Sequence, residues 1–146
     1  MISRPRGSPA KISGSYGFNA WLLRWEPKGK GGEEFSGGTA ERHVPISSKA
    51  AESVPVFADA TWTDGWPRAE DPTPPDLTGG DRANQGPEKA PKENMMARFT
   101  IARHDRAVNV AFLDGHAERV RLDGLKRLQW HRFYVPRDWD PPLPPR

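Results

Sequence analysis

Proline and glycine punctuate this chain so densely that they set the limits of its fold. There are 16 Pro and 14 Gly among 146 residues, and both residue types interrupt helices. Long uninterrupted helices, coiled coils and membrane spans are thereby excluded, and no segment approaches the run of about 18 apolar residues that a span requires. With 35% apolar against 28% charged residues the core must be lean. The 6 Trp and 6 Phe nevertheless argue against a wholly disordered chain, because disordered segments are poor in aromatics and each buried ring removes a large apolar area from water. One small, aromatic-rich, loop-heavy domain is expected.

The chain has no Cys, which removes a disulfide framework, a thiol nucleophile and every Cys-ligated zinc or iron-sulfur site. Its net charge of +3 is uneven: residues 1–50 hold 8 basic and 4 acidic side chains, 52–81 hold 1 and 7, 82–97 hold 3 and 2, and 98–146 hold 10 and 6. A nucleic-acid binder concentrates positive charge without a matching acidic block, so no nucleic-acid partner is expected despite a pI near 9.4. Met1 to Lys11 carries Arg4, Arg6 and Lys11 but no apolar stretch of the length a secretory signal needs.

Residues 1–14 read as a flexible tail, 15–135 as the folded domain, and 136–146 as an extended Pro-rich tail. Ser15 to Leu23 suits a short strand or an irregular packed segment, and the five glycines between Lys28 and Gly38 mark a mobile loop. Ser47 or Ser48 is expected to cap a short helical turn ahead of a strand over Val54–Trp62. Residues 64–94 form a long acidic, Pro-rich excursion, and Phe99 and Ile101 alternate with Thr100 and Ala102 as a strand over Arg98–Arg103 would. The clearest local signal is Asp114-Gly115 between the extended runs Val108–Leu113 and Ala117–Leu122, a hairpin. A three-residue loop pairing Phe112 with Glu118, Val110 with Val120 and Val108 with Leu122 puts the apolar set on one face. A short helix over Gly124–Trp130, capped by Asp123, follows. The fold expected is α+β: a small antiparallel sheet of four to five strands with one or two short helices and long Pro/Gly-rich loops.

The stretch from Arg103-His104-Asp105 to Asp114-Gly115-His116, with nine residues between His104 and Asp114, resembles the His-x9-Asp-Gly signature of prepilin-type, processing-associated proteins of planctomycetes and related bacteria. Three further pieces match in order. Ser15-Tyr16-Gly17-Phe18-Asn19 resembles the family's Ser-Tyr-Gly-x-Asn segment, Val54-Pro55-Val56-Phe57-Ala58-Asp59 its buried strand, and Leu128-Gln129-Trp130-His131-Arg132 its closing Trp-His segment. Full-length members are similar to type II secretion and type IV pilus pseudopilins, with a hydrophobic N-terminal helix ahead of a β-rich head. Here Arg24, Glu26 and Pro27 follow Leu23 at once, so the chain is expected to be the head alone. The resemblance implies a non-catalytic role through contacts with other pseudopilin or secretion-system proteins, without membrane insertion by this chain. It implies a cell-envelope or extracytoplasmic location if a helix is encoded upstream, and a cytoplasmic one otherwise.

The residues themselves point to little catalysis: no phosphate-cradling Gly-rich loop and no nucleophile-base pair is visible. His104 and Asp114 are expected at opposite strand ends, with His104 bonding loop backbone and Asp114-Gly115 supplying turn geometry. No cofactor or resident metal is expected; a Ca2+ site would draw on Asp59, Asp64, Asp71 and Asp76. Trp21, Trp62 and Trp130 are core candidates, and His131 is expected beside Trp130 and Phe133. Trp66 and Trp139, next to prolines, are candidates for an exposed carbohydrate- or surface-polymer-binding face.

Overall fold

The computed structural model describes residues 16–23, 50–77 and 94–145. The expected tail 1–14, the Gly-rich loop 28–38, Ser47 and Ser48, and residues 78–93 of the acidic excursion lie outside them. Among the described residues five strands form one sheet: β1 (Tyr16–Asn19), β2 (Pro55–Asp59), β3 (Asp64–Gly65), β4 (Ala107–Phe112) and β5 (Ala117–Arg121), in the order β3-β1-β2-β4-β5. With only short helical turns beside it, this is a small α+β fold. The sheet is mixed rather than purely antiparallel, because the two-residue β3 runs parallel to β1. β1 approaches the chain after β2 closely at Gly17, where a Cβ would stand 2.7 Å from both the Ala60 Cβ and the Trp62 carbonyl oxygen.

The hairpin forms with a three-residue loop, but one residue earlier than the apolar pattern suggests. Phe112 N donates to His116 O at 2.8 Å and Gly115 N donates to Phe112 O at 3.0 Å, so the loop is Leu113-Asp114-Gly115. Val108 therefore faces Val120, and Val110 faces Glu118. The turn decides the register: Gly115 takes φ +93°, the left-handed geometry required at the last position of such a loop, and an Asp or His there would be strained. Because the shift preserves parity, Val108, Val110, Phe112 and Val120 still share the buried face.

Irregular chain covers that face. Met96–Arg98 is a 3-10 turn, and Arg98–Arg103 forms no strand. Residues 94–101 are all buried, so the Phe99/Ile101 alternation does not sort the chain into an inner and an outer side. Side chains satisfy the backbone instead: Met96 N donates to Asp71 Oδ2 at 2.8 Å, Ala97 N to Asn94 Oδ1 at 3.1 Å, and Thr100 Oγ1 to Met96 O at 2.8 Å. The expected helix over Gly124–Trp130 is a 3-10 helix over Leu122–Arg127 without a side-chain cap. Leu122, Leu125 and Leu128 recur every three residues, which is the 3-10 period, and the first two are fully buried. Ala51–Ser53 is likewise a 3-10 turn with no side-chain N-cap.

Tryptophans close this layer. The indole Nε1 donates from Trp21 to Pro67 O at 2.8 Å, from Trp130 to Leu125 O at 2.8 Å, and from Trp139 to Leu122 O at 2.9 Å. Each ring contributes apolar burial while satisfying a carbonyl that lies outside any ladder. Residues 136–145 are thus no separate tail: Trp139 belongs to the core, Leu143 packs against it, and Arg137 N donates to Lys126 O.

Candidate functional site

The end of β2 and the start of β4 gather the most chemistry. Asp59 closes β2 with its side chain buried, and its Oδ2 accepts from Asn109 N, a donor on the adjacent strand β4, at 2.7 Å. The same oxygen lies 3.1 Å from His104 Nε2, and Arg103 Nη1 lies 3.6 Å from Oδ1. Asn109 Nδ2 stands 3.0 Å from the same imidazole nitrogen. His104 is held on a tight reversal: its N donates to Ala107 O, and Asp105 and Arg106 both take positive φ, 52° and 58°. Such values are costly for residues other than Gly, and the Asp59–His104 contact and the Arg119 Nη2 bond to His104 O help to hold the turn. His104 therefore bonds a buried carboxylate, where the sequence suggested loop backbone. In the sequence Asp59 reads as the last residue of an apolar strand and as a calcium candidate, and neither reading pairs it with His104.

At the other end of β4, Asp114 serves the turn. Its Oδ1 accepts from His116 N at 3.1 Å and lies 2.6 Å from His116 Nδ1. These bonds hold the exposed Asp114 carboxyl below its ordinary range. The His116 ring stacks on Phe112 with centroids 4.4 Å apart. His104 and Asp114 thus have separate partners, as expected from the length of the strand between them.

Asn19 is a joint that the sequence reading passed over. Fully buried, its Nδ2 donates to Pro55 O and Trp130 O, each at 2.9 Å, while its Oδ1 accepts from Trp21 N. His131 follows Trp130 and stands edge-on to Trp21 and Tyr134, at centroid distances of 4.9 and 5.3 Å. Trp21 and Tyr134 thus take the place expected for Trp130 and Phe133, and Phe133 is exposed.

The tryptophan face expected from Trp66 and Trp139 does not form. Trp139 is buried with its indole bonded to Leu122 O, and Trp66 packs partly buried against the core. Among the described residues the exposed large apolar side chains are Tyr16 (59% exposed) and Phe57 (47%) on the outer side of the sheet, with Phe57 5.3 Å from Phe18, together with Leu23, Phe133 and Val135.

Three of the four aspartates considered for calcium have duties of their own. Asp59 binds the β4 start, and Asp64 pairs with the buried Arg98 at 3.3 Å. Asp71 accepts from Arg68 N at 3.0 Å and from Met96 N, and burial pushes its carboxyl up to about 6. Lys126 Nζ donates to Ala69 O and Asp71 O and sits 4.6 Å above the Trp139 ring; burial lowers its pKa. Among the described residues no group of three or more His, Cys, Asp or Glu converges as metal ligands would, and no helix is long and apolar enough to cross a membrane. Comparison of the chain with family models, curated proteins and solved structures gives no match.

Proposed function

We propose that this chain is a non-catalytic, pseudopilin-like head of an envelope-associated secretion or pilus-type assembly, acting through protein contacts. One observation carries the reading: the four pieces that resemble the family are the pieces that hold the fold together. Asn19 of the first bonds Pro55 of the second and Trp130 of the fourth, and Asp59 of the second bonds His104 of the third. Asp114 and Gly115 form the hairpin turn that ends the third. A motif spent on joints is what an architectural family requires, whereas an enzyme's signature residues converge on a shared reacting point. The exposed Tyr16 and Phe57 add an apolar patch of the kind used in contacts between proteins.

The test is to place a photoreactive aromatic residue at Phe57 and irradiate the source cells. The reading predicts crosslinks to pilin-like or secretion-system proteins. Crosslinks confined to soluble proteins unconnected with such a system would reject it.

A further inference from the structure

The sheet ends on β5, and the edge it leaves has a definite chemistry. Phe112 N donates to His116 O at one end of the hairpin and Leu122 N donates to Arg106 O beyond the other. Between them Val110 faces Glu118 and Val108 faces Val120. In an antiparallel ladder such bonded pairs alternate with residues whose N-H and C=O point the opposite way. The N-H and C=O groups of Ala117, Arg119 and Arg121 therefore point away from β4, along an edge that pairs with no other strand among the described residues. These groups span about 13 Å at roughly 3.3 Å per residue.

The side chains of the same three residues share one face of the sheet, opposite Val120. Arg119 and Arg121 are exposed there, at 56% and 68% of their side-chain surface. Arg119 Nη2 donates to His104 O at 2.6 Å, while the carboxylate neighbours engage the two arginines loosely, Asp105 at 4.0 Å from Arg119 and Asp123 at 3.4 Å from Arg121, and exposed pairs of this kind contribute little. A bare edge ordinarily invites a second copy of itself. Here antiparallel self-pairing centred on Arg119 or on Val120 sets arginine against arginine, which is unfavourable. The edge repels itself and suits an acidic strand.

We propose that β5 is a strand-addition site for an extended acidic segment of another protein. The backbone of that segment pairs with Ala117, Arg119 and Arg121, and carboxylates at alternate positions face Arg119 and Arg121. This inference rests on the protein-contact reading and adds the chemistry of one partner segment. The two fail separately: absent peptide pairing with the Phe57 crosslinks intact rejects the edge alone, and lost crosslinks with peptide pairing intact reject the envelope assembly alone.

The experiment titrates the full chain with a seven-residue peptide alternating Glu and Val, with a Lys/Val peptide as control, and follows amide hydrogen exchange by NMR. The Glu peptide slows exchange at Ala117, Arg119 and Arg121, and its affinity falls as salt is raised; the Lys peptide does neither. Ala117→Pro removes an outward N-H without changing charge or breaking a bond to β4, and it abolishes pairing. Arg119→Glu with Arg121→Glu weakens the Glu peptide about ten-fold or more and keeps the test available if the proline variant does not fold. Failure of the Glu peptide to bind, protection elsewhere, equal binding of the Lys peptide, or a dimer formed through β5 would each overturn the proposal.

Discussion

The β4–β5 hairpin and the irregular layer beneath it bury their backbones by opposite means. In the hairpin a ladder satisfies the main chain, and the side chains need only be apolar inward and polar outward. Beneath it, residues 64–77, 94–101 and 122–139 have almost no ladder, and side chains complete the bonding: Asp71, Asn94, Thr100, Lys126 and three indoles each meet backbone groups. An apolar change in the hairpin therefore costs burial alone. A change in the layer removes burial and leaves a buried donor or acceptor unsatisfied, which is the more expensive loss.

The sharpest contrast sets Trp130→Ala against Val120→Ala. Trp130 is fully buried and its indole satisfies Leu125 O. Its truncation is expected to remove about 4 kcal/mol in urea denaturation, against about 1 kcal/mol for Val120. Equal losses would break the comparison.

The pH dependence of stability probes the layer next. The folded-state pKa of Asp71 is raised to about 6 from 3.8. Its contribution is therefore fully present below the unfolded value and is lost as pH rises through about 6. Burial raises the Asp64 pKa as well, so its contribution has the same sign. The loss from Asp71 between pH 4 and 7 is on the order of 3 kcal/mol. Asp71→Asn keeps an oxygen for Arg68 N and Met96 N, so unfolding midpoints measured across this range should flatten in that variant. A dependence unchanged from the parent would contradict the assignment.

The smallest effect belongs to the hairpin turn. At Gly115 a Cβ meets nothing within 4 Å, so only its φ of +93° opposes a side chain. Gly115→Ala should cost about 1 kcal/mol by thermal unfolding. A much larger loss would mean that the turn does more than reverse the chain.

The same division explains what was legible in the sequence. The hairpin could be read because period-two patterning and Asp-Gly are local signals, and even its register was missed by only one loop position. Asn19, Asp59 and Asp71 could not be read, because each is polar and bonds partners far along the chain: Asn19 to Trp130, Asp59 to His104, Asp71 to Met96. Lys126 stands beside Arg127, and nothing in the sequence tells the buried cation from the exposed one. Trp139 misled, since neighbouring prolines suggested an extended tail while its indole turned inward to Leu122. Of the candidate site, the turn role of Asp114-Gly115 was visible and the carboxylate anchoring His104 was not.

The central claim is that the motif residues are joints of the fold, and Asn19 tests it most directly. Urea denaturation of Asn19→Ala beside the parent chain should show a lower midpoint at unchanged slope, with about 3 kcal/mol lost from its bonds to Pro55, Trp130 and Trp21. An unchanged midpoint would contradict the account.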